Sequence, residues 1–310
     1  MNHFVVSFKS SLTTTRSRSL TVNQLTTFFS GIHQFSAEFS EILAKEEKGN
    51  LICSPISALI TLAILDYGAD GRTRQELETA LNLPMNETYV KLLFHYFMRD
   101  LNDATNVELH LANALFLNNE FRINKMFRQI STIIFQPKIE NLDFQNTVQS
   151  AGIINSWCKE NTGGKISEIV EAGDLTEAQL VMVNAIYFKG QWKHRFTHHR
   201  KINFEISNTD NVPIEMMCNN AKYNNNQILN GAAYYIELPY ETDQPETEFS
   251  MYVILPLKSN ELDDIIDQVF KIKFVKLNSK ESDIDFCMPK FRIESNLELI
   301  PVLKKADVHN

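Results

Sequence analysis

The sequence predicts an α+β protein built around a strand at residues 180–192, and three observations support this prediction. The segment LVMVNAIYFKGQW is apolar with neither helical nor alternating gaps, which is typical of a strand covered on both faces. Ser54 and Pro55 mark a helix start, because serine caps an orphan amide and proline at the first helical position lacks one. That helix, which ends near Tyr67, is apolar on nearly every side and is therefore predicted to be buried. Beyond Trp192, strands are predicted at residues 198–206, 212–217, 233–238 and 249–257.

The other helices and strands are predicted from hydrophobic periodicity and from start and stop signals. Phe28, Phe35 and Phe39 lie at helical spacing, which indicates an amphipathic helix. A capping box at residues 73–76 begins a short helix that Pro84 closes. Further helices are predicted at residues 89–97, 126–135, 153–162, 260–270 and 297–305, and further strands at residues 107–117 and 138–144.

Residues 1–27 are predicted to be a disordered or targeting-like tail, followed by one domain at residues 28–310. No aspartate or glutamate precedes Glu38, and the few basic residues lie among serines and threonines, a composition similar to a transit peptide. The apolar segment at residues 4–8 is too short for the hydrophobic region of a secretory signal. A disordered tail without any targeting role, or an imprecise gene start, is therefore favoured over a transit peptide.

Composition and charge indicate a soluble globular protein and argue against a membrane-spanning or nucleic-acid-binding protein. The chain has 310 residues, of which 44% are hydrophobic and 22% are charged, which indicates a soluble globular protein with a sizeable core. Its longest apolar runs are shorter than a membrane-spanning helix. The net charge of -8 argues against a nucleic-acid partner, because such a partner requires a basic face.

Asn184 is the one polar residue inside the apolar run of the predicted central strand. A buried amide without hydrogen-bond partners costs roughly 1–3 kcal/mol, so a partner is expected. Ser54 and Ser57, at the start of the predicted buried helix, carry hydroxyl groups that also need partners. The three side chains are therefore predicted to meet in one polar cluster.

Residue types that support catalysis or metal binding are present, but they do not form a recognisable site. Three histidines lie within six residues, and a cysteine could act with one of them as a nucleophile. No carboxylate or cysteine at ligand spacing completes a metal site, and nothing orients a catalytic base. We therefore predict neither catalytic residues nor metal ligands nor a cofactor, and interpret the histidines as solvated strand or loop residues. The cysteines show no CxxC spacing, which favours free buried thiols over the alternative of one disulfide. The histidines are His194, His198 and His199, the candidate nucleophiles are Cys158 and Cys218, and the remaining cysteines are Cys53 and Cys287.

Four long motifs, in order along the chain, resemble the serpin superfamily of serine protease inhibitors. They occupy residues 50–84, 157–170, 181–192 and 288–308. The resemblance implies a large mixed main sheet, two further sheets and eight or nine helices. It also implies that the helix carrying Trp157 lies across the main sheet and that residues 283–293 form a strand of that sheet.

The resemblance further implies a mechanism and a partner. An active serpin offers an exposed loop to a target serine or cysteine protease, and the cleaved loop then enters the main sheet as a new strand. Ser54, Ser57 and Asn184 match the shutter, where the sheet opens, and Trp192 matches the breach, where insertion begins. The expected form is a monomer without nucleic-acid or membrane partners. Most of the family is extracellular, which fits a glycosylation sequon at Asn86; a cytosolic location is the alternative.

The sequence also departs from the family pattern after the helix predicted at residues 297–305. In the family, a strand of the main sheet, a hinge, the reactive loop and two buried strands follow that helix. We therefore expect the reactive centre, and the histidine that pairs with the shutter asparagine, to lie outside these 310 residues. The full-length form is expected to inhibit a protease and the chain as given is not. A non-inhibitory carrier, chaperone or storage protein is the alternative.

Overall fold

A computed structural model describes most of the chain and contains helices and strands in the mixture that the sequence predicts. The described residues are 3–10, 21–47, 49–83, 87–102, 107–205, 211–242, 247–257, 262–273, 277–293, 295 and 302. The α-helices are α1 (Val22–Glu46), α2 (Pro55–Asp66), α3 (Gly71–Leu81), α4 (Glu87–Asn102), α5 (Lys125–Ile134), α6 (Thr147–Asn161) and α7 (Leu262–Val269). The strands are β1 (His3–Ser10), β2 (Val107–Asn118), β3 (Lys138–Leu142), β4 (Leu180–Gly190), β5 (His198–Glu205), β6 (Asn211–Ile228), β7 (Ala233–Pro239), β8 (Thr247–Pro256) and β9 (Lys280–Pro289).

The chain divides into two compact units. One unit comprises residues 1–16, 40–53 and 190–297, and the other comprises residues 17–39, 54–189 and 298–310. The first contains a six-stranded sheet in the order β1-β8-β7-β6-β5, with β9 paired to β6. The second contains a three-stranded sheet in the order β3-β2-β4. The α+β class is confirmed. The described part holds seven α-helices and two sheets, against the eight or nine helices and three sheets that were expected.

Helix α2 confirms the prediction of a buried helix with a serine cap. The backbone amide of Ser57 donates to the Ser54 hydroxyl oxygen at 3.4 Å, and proline occupies the first turn. Leu59, Ile60 and Ile64 are completely buried. The cap satisfies an orphan amide at the helix start, so the apolar helix can begin without leaving that donor unpaired.

Helix α6 packs on the three-stranded sheet, as the resemblance implies for the helix that carries Trp157. The ring of Trp157 meets the edge of the Phe116 ring on β2, with 6.0 Å between ring centroids. Val183 and Ala185 of β4 join the same buried cluster. The other residues of β4 are only partly buried or exposed, which differs from the predicted strand covered on both faces. The reason is that β4 lies at the edge of this sheet among the described strands.

Strand β6 runs for 18 residues and pairs with three other strands. Its first part pairs with β5 and β9 on opposite edges, since residues 216–218 are in register with both, and its last part pairs with β7. The prediction of a main-sheet strand at residues 283–293 is corrected here. The strand is β9, it ends at Pro289, and it belongs to the six-stranded sheet.

Two of the four cysteines form a disulfide, which corrects the prediction of free thiols. Cys218 on β6 lies directly opposite Cys287 on β9, and their sulfur atoms are bonded. Cys53 and Cys158 are free. The pairing depends on strand register, which brings together residues 69 positions apart in the chain.

The first residues of the chain form a strand, where a disordered or targeting-like tail was predicted. Residues 3–10 form β1, which pairs antiparallel with β8, and α1 begins at Val22. A disordered tail was expected over residues 1–27, but this first segment is rich in the β-branched and aromatic residues that favour strands. A targeting role stays a prediction.

Asn86 and all of the helix predicted at residues 297–305 except Val302 lie outside the described residues. No helix in the described ranges has the length and apolar character needed to cross a membrane.

Candidate functional site

An asparagine pair lies between two neighbouring strands of the three-stranded sheet. The side-chain amide of Asn184 on β4 donates to the side-chain oxygen of Asn113 on β2 at 2.6 Å. Asn113 is 5% exposed. The Asn113 amide nitrogen and the Asn184 side-chain oxygen are both buried and have no hydrogen-bond partner among the described residues. One orphan donor and one orphan acceptor therefore remain, and each such group costs about 1–3 kcal/mol.

The pair faces away from helix α6. Ala112 and Ala114 of β2 and Val183 and Ala185 of β4 belong to the cluster that α6 covers. Because side chains alternate between the faces of a strand, Asn113 and Asn184 project to the opposite face. A group that can both donate and accept, such as a hydroxyl, an amide or an imidazole, would satisfy both orphan atoms at once.

The edge of β4 is the second feature of the site. β2 lies between β3 and β4, and no described strand pairs with the other side of β4. An unpaired strand edge presents a row of backbone donors and acceptors that can pair with an added strand. Asn184 is thus one strand away from the position that such an addition would occupy.

The partner of Asn184 is Asn113 and neither of the predicted serines. The Ser54 hydroxyl accepts from the Ser57 amide, and the Ser57 carbonyl accepts from the Thr61 hydroxyl at 2.9 Å. No hydrogen bond joins either serine to Asn184 among the described residues. Asn113 was missed, although it interrupts an apolar stretch of β2 just as Asn184 interrupts β4. The role of Ser54, Ser57 and Asn184 as a shutter stays a prediction.

Trp192, predicted to lie at the breach, is part of an aromatic stack in the other unit. Its ring lies parallel to that of Tyr240, with 4.5 Å between centroids and 16° between planes. The two residues also form an isolated β-bridge. A Cβ atom at Gly190 would approach the Tyr240 ring to 2.5 Å, so only glycine leaves room for this stack. The role of Trp192 in insertion stays a prediction.

The three histidines occupy structural positions. His194 packs edge-on against Tyr223 at 5.2 Å, and burial, together with the charge of Lys193, lowers the pKa of its imidazole. The His198 ring nitrogen Nδ1 lies 3.2 Å from the Thr197 hydroxyl, and His199 is exposed. Within the described ranges, no group of three or more histidine, cysteine or acidic residues could hold a metal ion.

The cysteines that were considered as nucleophiles lack the environment for that role. Cys218 is bonded to Cys287 and has no free thiol. Burial raises the pKa of the Cys158 thiol, and a protonated thiol is a poor nucleophile.

The Asn155 side chain joins helix α6 to the loop that follows it through hydrogen bonds, a role that was not predicted from the sequence. The Asn155 side-chain amide donates to the Val170 carbonyl at 2.9 Å. Its oxygen accepts from the amides of Ile169 and Val170 at 2.9 and 3.1 Å. These three bonds hold the loop at residues 169–170 against the helix. An asparagine on the polar side of a helix gives no sequence signal of this role.

Comparison with known proteins shows that the chain is similar to one protein family. Residues 30–310 match the family model described as "Serpin (serine protease inhibitor)". Antichymotrypsin-2 of Bombyx mori is 30% identical over 288 residues, which cover 90% of this chain and 75% of that protein. Antitrypsin of the same species is also 30% identical, with 90% and 72% covered.

Solved structures agree with the sequence comparisons. A serine protease inhibitor (serpin-12) of Manduca sexta is 30% identical and superimposes with a TM-score of 0.80, covering 90% of this chain and 78% of that one. Serpin48 of Tenebrio molitor is 25% identical, with a TM-score of 0.82, covering 90% of this chain and 76% of that one.

Proposed function

Because the chain belongs to the serpin family, we propose that it serves to inhibit serine-type endopeptidases as a suicide substrate, by strand insertion beside β4. The matched family is one of serine protease inhibitors, and antichymotrypsin and antitrypsin of Bombyx mori carry inhibitor names. Loop insertion in serpins is itself an established example of strand addition to a sheet.

The observation that supports the insertion step is the combination of the β4 edge and the asparagine pair. Among the described strands, the outer edge of β4 has no partner. The orphan donor on Asn113 and the orphan acceptor on Asn184 lie beside that edge. A strand added there would satisfy the backbone groups of β4, and a hydroxyl, amide or imidazole on it could satisfy both side chains. Insertion would therefore be favourable at a position where the present arrangement leaves polar groups unpaired.

The proposed location is extracellular. The disulfide between Cys218 and Cys287 supports it, because structural disulfides persist in oxidising compartments and are rare in the cytosol. The proposed partner is a target serine protease, or a cysteine protease, bound by a monomer. Inhibition is proposed for the form of the protein that carries a reactive centre; the 310 residues span 75% and 72% of the two Bombyx mori relatives.

A protease panel tests this proposal. The 310-residue chain and the product of the complete transcript are each incubated with trypsin-like, chymotrypsin-like and elastase-like proteases, and covalent complexes are resolved on denaturing gels. We expect the complete product to form a denaturant-resistant complex with at least one protease and the 310-residue chain to form none. A complex formed by the 310 residues would contradict the predicted absence of the reactive centre. Failure of the complete product with every protease would contradict inhibition and favour a carrier or storage role.

A further inference from the structure

The disulfide between Cys218 and Cys287 belongs to a row of three side chains that crosses three strands. His198 of β5 lies directly opposite Cys218 of β6, and Cys218 lies directly opposite Cys287 of β9. Residues directly opposite each other on neighbouring antiparallel strands share a face, and their Cβ atoms are about 4.5–5.5 Å apart. The His198 side chain is therefore the neighbour of Cys218 on the side away from Cys287.

The His198 ring has one nitrogen in a polar contact and one without a partner. Its Nδ1 atom lies 3.2 Å from the Thr197 hydroxyl oxygen. Its Nε2 atom is buried and has no hydrogen-bond partner among the described residues. Buried polar atoms of this kind are rare in native proteins. A thiolate at Cys218, in the same row, would be a strong acceptor for a proton on this ring.

An ion pair spans the same face of the sheet. The Arg200 Nη1 atom on β5 lies 2.6 Å from the Asp285 Oδ2 atom on β9. Arg200 lies opposite Met216 and Asp285 lies opposite Asn220, and Cys218 is midway between these two residues of β6. Because alternate residues of a strand share a face, the ion pair crosses over Cys218. The charged residues on this face within four positions of the disulfide row are Arg200 on β5, Lys222 on β6, and Asp283 and Asp285 on β9.

The two sulfur atoms of the disulfide differ in access. Cys218 is completely buried, whereas Cys287 is partly exposed. Thiol–disulfide exchange begins with attack of a thiolate on one sulfur, and its rate depends on access to that sulfur and on the stability of the departing thiolate. An incoming thiolate therefore reaches Cys287, and Cys218 departs. The cationic side chains of Arg200 and protonated His198 lie on the side of Cys218, where positive charge favours a thiolate.

We propose that Cys218 and Cys287 form a thiol–disulfide exchange site for a dithiol, and that His198 protonates the Cys218 sulfur as it departs. One thiolate of the dithiol bonds to the Cys287 sulfur, the bond between the two cysteines breaks, and its electron pair stays on Cys218. Cys218 then takes a proton from the His198 imidazolium. This site is separate from the edge of β4, and its chemistry requires no protease.

The second thiol of the dithiol completes the exchange. As a thiolate, it attacks the reagent's own sulfur in the mixed disulfide and releases Cys287 as a thiolate, which takes a proton from water. Two electrons pass from the dithiol, which becomes a disulfide, to the cysteine pair, which becomes two thiols. Strands β6 and β9 thereby lose their covalent link, so the site controls a cross-link within the six-stranded sheet.

Reduction kinetics of His198 variants test the proposal. The product of the complete transcript is treated with dithiothreitol under native conditions between about pH 6 and about pH 9, a range that includes the usual loss of charge by histidine. Thiols are alkylated at intervals, and mass spectrometry of peptides follows Cys218 and Cys287 separately from the other cysteines. His198→Gln removes the proton donor, and His198→Lys restores a protonated side chain. His199→Gln, at an exposed residue on the other face of β5, is the matched control.

The expected result is a defect that depends on pH. Relative to wild type, His198→Gln should be reduced about tenfold more slowly near pH 6 and at an equal rate near pH 9, because histidine ordinarily loses its charge between about pH 5 and 8. His198→Lys and His199→Gln should remain within about twofold of wild type near pH 6. Slowing of His198→Gln by the same factor at every pH would indicate a structural role and overturn the proton transfer. Equal rates in wild type and His198→Gln near pH 6 would overturn it as well.

Asp285→Asn provides a second variant that does not alter the histidine. It removes a negative charge two residues from Cys287 that repels the incoming thiolate, and it releases Arg200 from its ion pair. We expect reduction to be about threefold faster than in wild type at every pH. A rate equal to or below that of wild type would overturn attack at Cys287, and this variant decides the question if His198→Gln does not fold.

Discussion

The two sheets of the molecule are held in different ways. In the six-stranded sheet, β6 is paired on both edges, and a disulfide bonds it to β9. In the three-stranded sheet, the outer edge of β4 has no described partner, and the neighbouring asparagine pair keeps two buried polar atoms unsatisfied. Among the described strands, β6 therefore has partners on both sides, whereas β4 retains unused hydrogen-bonding capacity along one edge. Buried polar groups without partners are rare in native proteins, and the two on the asparagine pair lie beside the edge where strand insertion is proposed.

The largest expected effect comes from the disulfide of the six-stranded sheet. Replacing Cys218 and Cys287 together with serine should lower the free energy of unfolding by about 2–5 kcal/mol, because the unfolded chain loses a cross-link. Chemical denaturation measures the change.

A reductant provides the matched control for the disulfide. It should destabilise the wild-type protein by a similar amount and leave the double variant unchanged. Equal sensitivity of both proteins to the reductant would show that the bond between β6 and β9 does not hold this sheet.

The asparagine pair should show strong coupling in a double-mutant cycle. Asn184→Leu leaves the Asn113 side chain without any partner and should cost about 1–3 kcal/mol, and Asn113→Leu should cost a similar amount for the same reason. The double variant removes all four polar atoms and should recover most of the loss. Additive costs in the three variants, measured by denaturation, would show that the two side chains act independently.

A pH dependence is expected in the unit that contains the three-stranded sheet. Burial raises the pKa of the Asp66 carboxyl at the end of α2 to about 6, although nearby Arg74 opposes the shift. A raised carboxyl pKa in the folded state contributes stability below the unfolded value of about 3.9, and this contribution is lost as the pH rises towards 6.

Asp66→Asn isolates this effect. The variant should match the wild-type protein near pH 4 and exceed its stability by about 1–2 kcal/mol above pH 6, after allowance for partial solvent exposure. Glu168→Gln, at an exposed carboxylate, is the control. A difference between wild type and Asp66→Asn that does not change with pH would contradict the assignment.

The smallest effect is expected on α6, above the three-stranded sheet. A Cβ atom at Gly152 would meet nothing within 4 Å, and glycine inside a helix is less favourable than alanine by roughly 0.5–1 kcal/mol. Gly152→Ala should therefore stabilise the protein by that amount in thermal or chemical denaturation. Gly190→Ala, which would push into Tyr240, is the contrasting variant and should destabilise. Stabilisation by both would contradict the packing around Trp192.

Local features of the fold could be predicted from the sequence, whereas features that depend on register could not. The cap at Ser54 and the apolar face of α6 each depend on a few neighbouring residues, and both were predicted from the sequence. The disulfide between Cys218 and Cys287 requires β6 and β9 to pair in one register, which no local pattern states. The need for a partner of Asn184 was predicted correctly, but its identity was not, because Asn113 is 71 residues away on the next strand.

Hydrogen exchange along β4 tests strand insertion most directly. Amide exchange at residues 180–190 is measured in the complete product before and after it traps a protease, with residues 216–218 of β6 as the internal reference. We expect the outward amides of β4 to exchange quickly at first and to become strongly protected in the complex, while β6 is protected throughout. A stable protease complex in which β4 exchanges as quickly as before would contradict insertion beside this strand.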